Sequence, residues 1–180
     1  IFRKGLVIFQ FSLSLIFIIG MIVISEQVAF IQNKNLGYQK NNLVYLASRG
    51  EMRSNFAYFK NEVLKIAGVE SVTSMSSRPI EMENSSSGVE WEGKSPSERP
   101  KFTSSEIGYD FIETMQSTLV YGRDFSLDHE DSTNYIINET ALKTVGYKEP
   151  IGMPLTLWGR KGTIVGVVKD FHFESLHVPI

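Results

Sequence analysis

The chain has 180 residues, 42% of them hydrophobic and 21% charged, which is room for one globular domain of ordinary size and a modest extra segment. Its 18 Lys and Arg stand against 20 Asp and Glu with no like-charge block, so the net charge of -2 excludes a generally basic nucleic-acid binder. The absence of cysteine excludes a disulfide framework, thiolate zinc sites and a cysteine nucleophile.

The hydrophobic excess is concentrated near the start. Residues 6–24 read LVIFQFSLSLIFIIGMIVI, 19 residues without a formal charge. At about 1.5 Å rise per residue that is close to the ~30 Å hydrocarbon thickness of a bilayer. Gln10, Ser12 and Ser14 are the polar members, all uncharged, and serine hydroxyls can bond back to their own helix. Such groups either contact a neighbouring helix or are tolerated singly, and Gly20 would permit close helix approach. Arg3 and Lys4 precede the span, whereas Ser25 and Glu26 follow it. The positive-inside rule therefore places the N-terminus in the cytoplasm and everything after Ile24 outside. A buried core helix rarely runs this long without a charge. A signal peptide wants a shorter apolar core and a small-x-small site, which Ser25-Glu26-Gln27-Val28-Ala29-Phe30 lacks. An uncleaved anchor is expected.

Beyond the span, Val28, Ile31 and Leu36 continue at helical spacing among Glu26, Gln27, Gln32 and Lys34, which predicts an amphipathic stalk. Gly37 suits the left-handed position that ends it. Leu43-Val44-Tyr45-Leu46 is a short run of strand formers. Met52, Phe56, Phe59, Val63 and Ile66 then recur at steps of four and three, predicting a helix closed by Gly68. A strand is expected over 69–75. Two strands flanking one helix favour parallel pairing through a crossover, here over 43–75.

Glu83-Asn84-Ser85-Ser86-Ser87-Gly88 reads as a polar loop, 89–92 as a strand, and 95–100 as a turn containing proline and serine. A strand over 102–107 leads into a short helix over 109–115. A strand over 134–138 precedes a helix over 139–145, with Asn138 as its N-terminal cap and Gly146 as its terminator. Leu155-Thr156-Leu157-Trp158 and residues 163–173 form a closing hairpin with Gly159 and Gly162 in the turn. This mixture predicts an α+β fold.

Catalytic motifs are scarce. The sequence holds no G-x-x-x-x-G-K-[ST], no G-x-G-x-x-G after a strand, no H-E-x-x-H and no G-x-S-x-G. Ser85, Ser86 and Ser87 belong to a solvated loop, where turn chemistry explains them. Asp170-Phe171-His172-Phe173-Glu174-Ser175-Leu176-His177 is the one chemically suggestive cluster. On a strand, Asp170, His172 and Glu174 would share a face, with His177 as a possible fourth metal ligand. Alternate side chains on a strand stand roughly 6–7 Å apart, too wide to meet one ion without a bend. An amphipathic strand with buried phenylalanines is the simpler explanation. Gly122-Arg123-Asp124-Phe125 reads as a compact turn in which Arg123 makes a structural bidentate pair. His129, among Asp128, Glu130 and Asp131, reads as a solvated loop. Asn84 and Asn138 match N-x-[ST], which matters only in a glycosylating pathway. No catalytic, cofactor or metal residue is assigned, and no enzyme is expected.

The order of these features resembles the FtsX-like/MacB-like ABC transporter permeases. The resemblance rests on an Arg-Lys-flanked span containing Val7-Ile8-Phe9-Gln10-Phe11-Ser12 and on a stalk ending Gln32-Asn33-Lys34-Asn35-Leu36-Gly37-Tyr38. It continues through Gly68-Val69-Glu70-Ser71-Val72-Thr73, Gly122-Arg123-Asp124-Phe125, Ile137-Asn138-Glu139-Thr140-Ala141, Pro150-Ile151-Gly152 and Ile164-Val165-Gly166-Val167-Val168-Lys169-Asp170-Phe171. These match the MacB-type periplasmic core domain that follows a first transmembrane helix. The resemblance implies residues 1–37 as transmembrane helix and stalk, and 38–180 as the core domain, truncated at its C-terminal edge. It also implies a bacterial inner-membrane permease subunit without an ATPase or cofactor of its own. Its partners would be membrane lipid, a cytoplasmic ATP-binding-cassette ATPase and a second permease subunit in a homo- or heterodimer. The coupling would serve export, lipoprotein handling or envelope signalling by mechanotransmission. Two alternatives remain: a single-span anchored sensor or ligand-binding domain, and a membrane-tethered enzyme using the 170–177 cluster.

Overall fold

The computed structural model describes residues 2–34, 36–78 and 84–172. The chain divides into two units, Ile1–Asn35 and Leu36–Ile180.

The first unit is a single helix, α1 (Phe2–Asn33), of 32 residues. It does not break where the apolar run ends at Ile24. At about 1.5 Å per residue it measures about 48 Å, some 18 Å more than a bilayer core requires. Of the described residues, it is the one helix long and apolar enough to cross a membrane. None of its described residues is buried, and Phe9, Phe11, Phe17, Met21 and Phe30 stand 65–73% exposed. The Ser14 hydroxyl donates to the Gln10 carbonyl at 2.9 Å, so that serine satisfies itself within the helix. Leu36 lies past the helix end, and Gly37, expected to terminate the stalk, does something else. Its φ is +87°, and a Cβ there would overlap Asp170 and Phe171, so glycine serves a close backbone approach.

The second unit is α+β. Its early part departs most from expectation. Residues 43–46 form no strand: Leu43 packs into a core cluster, while Val44, Tyr45 and Leu46 are 78%, 52% and 60% exposed. The Arg78 guanidinium lies 5.6 Å over the Tyr45 ring. The expected helix is split into α2 (Glu51–Ser54) and α3 (Phe56–Val63) at Asn55, a residue of low helix propensity. Ile66 is beyond α3, with Gly68 at φ +92° after it. Residues 69–75 are likewise not a strand; Met75 makes only an isolated antiparallel bridge to Ile107. The expected parallel crossover over 43–75 is therefore absent. A short run of strand formers becomes a strand only where an edge is open to it, and the sheet's central edges are filled by later segments.

Those segments are β1 (Ser85–Ser86), β2 (Glu90–Trp91), β3 (Phe102–Thr103), α4 (Phe111–Met115) and β4 (Leu119–Gly122). They continue with a 3-10 turn (Asp131–Thr133), β5 (Tyr135–Asn138), α5 (Glu139–Val145), β6 (Pro154–Leu157) and β7 (Arg160–Val168). Among the described residues the strands form a two-stranded ladder, β1 with β3, and a five-stranded sheet. Ser85 and Ser86 thus belong to a short strand, with Ser86 opposite Phe102, rather than to an open loop.

β7 organises the sheet. Its first half pairs antiparallel with β6, Leu157 opposite Arg160 through Pro154 opposite Thr163. Its second half has a partner on either side, β4 antiparallel and β5 parallel. That explains why residues 164–168 are all buried, Ile164 and Val167 completely. The parallel crossover does exist, carried by β5 and α5 rather than by the 43–75 region. The β6–β7 turn is the two residues Trp158 and Gly159, both at positive φ, as a tight hairpin requires. Gly162 is in the strand and not in the turn, and β7 starts at Arg160 and ends at Val168 rather than spanning 163–173.

α5 begins and ends as its sequence predicts. The Asn138 side-chain oxygen accepts from the Ala141 N–H at 2.9 Å, and Gly146 closes the helix at φ +76°. Replacing Asn138 with alanine should lower stability by about 1 kcal/mol. A denaturant midpoint unchanged in Asn138→Ala would show that this cap contributes nothing.

Two apolar clusters fill the unit. Val89, Trp91, Val145, Leu155, Ile164 and Val167 form the larger one, with Phe102 edge-on to Trp91 at 5.9 Å. Tyr38, Phe111 and Met115 form the smaller, joined by Leu36, Leu43, Met75, Ile107, Ile112 and Phe171.

Candidate functional site

The smaller cluster lies where the chain both enters and leaves the described part of the second unit. The His172 N–H donates to the Leu36 carbonyl at 2.7 Å, and the Gln39 N–H to the Met115 carbonyl at 3.0 Å. Gly37 packs against the backbone of Asp170 and Phe171. Tyr38, 8% exposed, has its phenol pushed up by burial. Residues 36–39 and 169–172 are therefore one joint, with α4 as its third member.

From this joint two polar connections run into the sheet. Asp170 is the first. Its Oδ1 accepts from the Thr140 N–H and its Oδ2 from the Thr140 hydroxyl, both at 2.8 Å, and the Lys169 N–H donates to the Thr118 carbonyl at 2.9 Å. Asp170 thus ties the exit segment to the first turn of α5, while Lys169 ties it to the residue before β4. Asp124 is the second. Its carboxylate accepts from the Ile112 N–H at 2.7 Å and from its neighbour Phe125 at 2.8 Å, linking α4 to the segment after β4. Burial pushes the Asp124 carboxyl up, against the pull of those two hydrogen bonds.

Arg123 makes the bidentate pair expected of it, with Asp131. Nη1 reaches Oδ2 at 2.7 Å and Nη2 reaches Oδ1 at 2.8 Å. Asp131 also accepts from the Asn134 side-chain amide at 2.8 Å and the Ser126 N–H at 2.9 Å. Those hydrogen bonds, led by the guanidinium, hold its carboxyl far below the usual carboxylate range. Asp131 is buried, contrary to its reading as part of a solvated loop; His129 beside it is exposed as expected. What precedes Arg123 is β4 rather than a compact turn. Gly122, at φ +75°, sits where a Cβ would overlap the Val165 carbonyl oxygen, and the same oxygen accepts from the Arg123 N–H at 2.9 Å. The Arg123–Asp131 pair therefore staples the 123–134 loop against the central strand.

The suspected metal cluster does not assemble among the described residues. Residues 169–172 are not a strand, and Asp170 directs both oxygens at Thr140. Phe173, Glu174 and His177 lie outside the described residues. No group of three or more His, Asp or Glu among the described residues is placed to hold a metal ion. Asn84 lies beside β1, its carbonyl accepting from the Ser104 N–H at 2.8 Å, and Asn138 is spent on its cap.

Sequence reasoning missed β4 and the partner of Arg123. The signal for β4 was the apolar stretch Leu119-Val120-Tyr121, and its residues are 37–51% exposed, so no burial pattern marked it. Nothing local marked Asp131, because its burial depends on an arginine eight residues away.

No family model matches the chain, and no curated protein matches it. Among solved structures, the periplasmic region of MacB from Actinobacillus actinomycetemcomitans is similar, with 25% sequence identity and a TM-score of 0.44. That match covers 66% of this chain and 52% of the other, so the chain spans about half the length of the solved relative.

Proposed function

We propose that the chain belongs to an ABC-transporter permease subunit of a bacterial inner membrane. In this proposal residues 1–37 serve as span and stalk, with the N-terminus cytoplasmic, and residues 38–180 serve as the extracytoplasmic domain. The chain does no chemistry itself. A separate cytoplasmic ATPase hydrolyses ATP, a second permease subunit completes the membrane pair, and movement of the stalk is handed to the outer domain. The cargo belongs to export, lipoprotein handling or envelope signalling.

The observation that carries this reading is the joint at 36–39 and 169–172. A displacement arriving at Leu36 meets a hydrogen bond to His172 and the buried Tyr38 cluster before any flexible segment. It then reaches the sheet through Asp170 and Thr140. A helix without a breaker, followed by a joint of this kind, suits a domain moved as a body. The ordered sequence motifs from Val7 to Phe171 support the same reading.

The experiment is purification of the full protein from its native membrane in mild detergent. The expected result is stoichiometric recovery of an ABC ATPase whose ATP hydrolysis changes when the permease is removed. Recovery without any ATPase would overturn the proposal and leave a single-span anchored binding domain as the better account.

A further inference from the structure

The helix α5 is gripped at both ends by groups remote from it in sequence. At its start the Thr140 N–H and hydroxyl donate to the two oxygens of Asp170, and the Asp170 N–H donates back to Glu139 Oε2 at 3.3 Å. Asn138 already caps this helix through the Ala141 N–H, so Asp170 is a second cap, supplied by the exit segment. Just past the Gly146 stop, the Tyr147 hydroxyl accepts from the Glu92 N–H at 2.8 Å and donates to the Pro154 carbonyl at 3.1 Å. One phenol oxygen thus ties the far end of α5 to the residue after β2 and to the first residue of β6. Between these ends the seven residues of α5 span about 10 Å and include no glycine or proline that would bend them. Leu142, Val145 and Tyr147 pack into the larger apolar cluster along the way.

We propose that α5 is a strut that passes a displacement of residues 169–172 from Asp170, through Tyr147, to the β2–β6 edge of the sheet. Coupling between distant groups travels through packed side chains and hydrogen bonds on an element that moves as a unit, and α5 has such attachments at each end. Asp170 and Tyr147 are its positioning residues. The path delivers movement to β2, at one end of the sheet order, without passing through the β6–β7 turn. The strut is a property of the second unit alone and holds whether or not an ATPase drives it, so it does not rest on the transport reading.

The test is amide hydrogen exchange at Glu92 in the purified full protein, since that N–H bonds the Tyr147 hydroxyl and nothing near Asp170. Asp170→Ala should speed exchange at Glu92 by about fivefold or more. Thr140→Val, which removes one of the two bonds to Asp170 and keeps the helix, should act in the same direction to a smaller extent. Asn138→Ala weakens the same end of α5 without touching the exit segment, and should leave Glu92 within about twofold of the parent. In Tyr147→Phe the Glu92 amide is already released, so adding Asp170→Ala should change its rate no further. Exchange at Glu92 that ignores both Asp170→Ala and Thr140→Val would overturn the proposal. So would equal acceleration by Asn138→Ala and Asp170→Ala, which would make Asp170 a second cap and nothing more, or an effect of Asp170→Ala that persists in full without the Tyr147 hydroxyl.

Discussion

On the permease reading proposed above, a proline at Val28 should abolish function while the partner ATPase continues to turn over. Proline has no N–H to give the Ile24 carbonyl, and its ring collides with that carbonyl, costing about 3 kcal/mol and kinking the helix. Ile24 is the last residue of the apolar run and α1 continues unbroken to Asn33, so the kink falls just past the end of that run. A lever bent there absorbs displacement instead of delivering it to Leu36. The measurement is a pair: the deletion phenotype rescued by each variant, and ATP hydrolysis by the purified complex. Val28→Ala keeps the helix and should rescue; Val28→Pro should not, with hydrolysis preserved. Full rescue by Val28→Pro would sink the lever.

The second large effect concerns stability. Arg123→Met leaves the Asp131 carboxylate, whose side chain is 1% exposed, with only Asn134 and Ser126 as partners. Removing one member of a buried pair costs about 3–5 kcal/mol. Because the Arg123 side chain is 35% exposed, the lower end applies, about 3 kcal/mol. For a domain of this size that lowers the melting temperature by roughly 10 °C.

The loss should also depend on pH. The Asp131 carboxyl is depressed in the folded protein, so its contribution is fully present above the unfolded value of about 3.9 and disappears as pH falls through the folded one. The variant lacks that depression, so its deficit should be largest at neutral pH and close below about pH 4. Asp124 works in the opposite direction. Burial raises its folded pKa, so its charge costs stability at neutral pH and acid relieves that cost. Denaturant titration followed by the fluorescence of buried Trp91 reads both variant and parent. A deficit under about 1 kcal/mol, or one that does not change down to about pH 2.5, would show that the pair is ornamental.

Local signals were legible where a residue's role is set by its neighbours in sequence. The long apolar helix follows from an uncharged run. The helix Glu139–Val145 follows from Asn138 and Gly146, one on either side of it. The closing hairpin was legible too, except that its turn is Trp158-Gly159 and Gly162 belongs to the strand. The first half of the second unit misled for a common reason. Leu43-Val44-Tyr45-Leu46 and residues 69–75 have the composition of strands, but composition cannot say whether an edge is available to pair with. The Arg123 pair was anticipated; its partner was not, since Asp131 in sequence looks like one acid among Asp128 and Glu130.

The sequence by itself determined a long apolar helix that runs on past Ile24, the α+β class and the cap and stop of α5. Each of these depends on periodicity or on residues within a turn of one another, which local free energies decide. Only the tertiary structure decided that β7 takes partners on both sides, that the parallel pair is β5 with β7, and that 36–39 meets 169–172. Those contacts close loops of up to more than a hundred residues. Their free energy comes from burying Ile164, Val167 and Tyr38 together with groups far away in the chain, and no window of sequence contains both sides of such a contact.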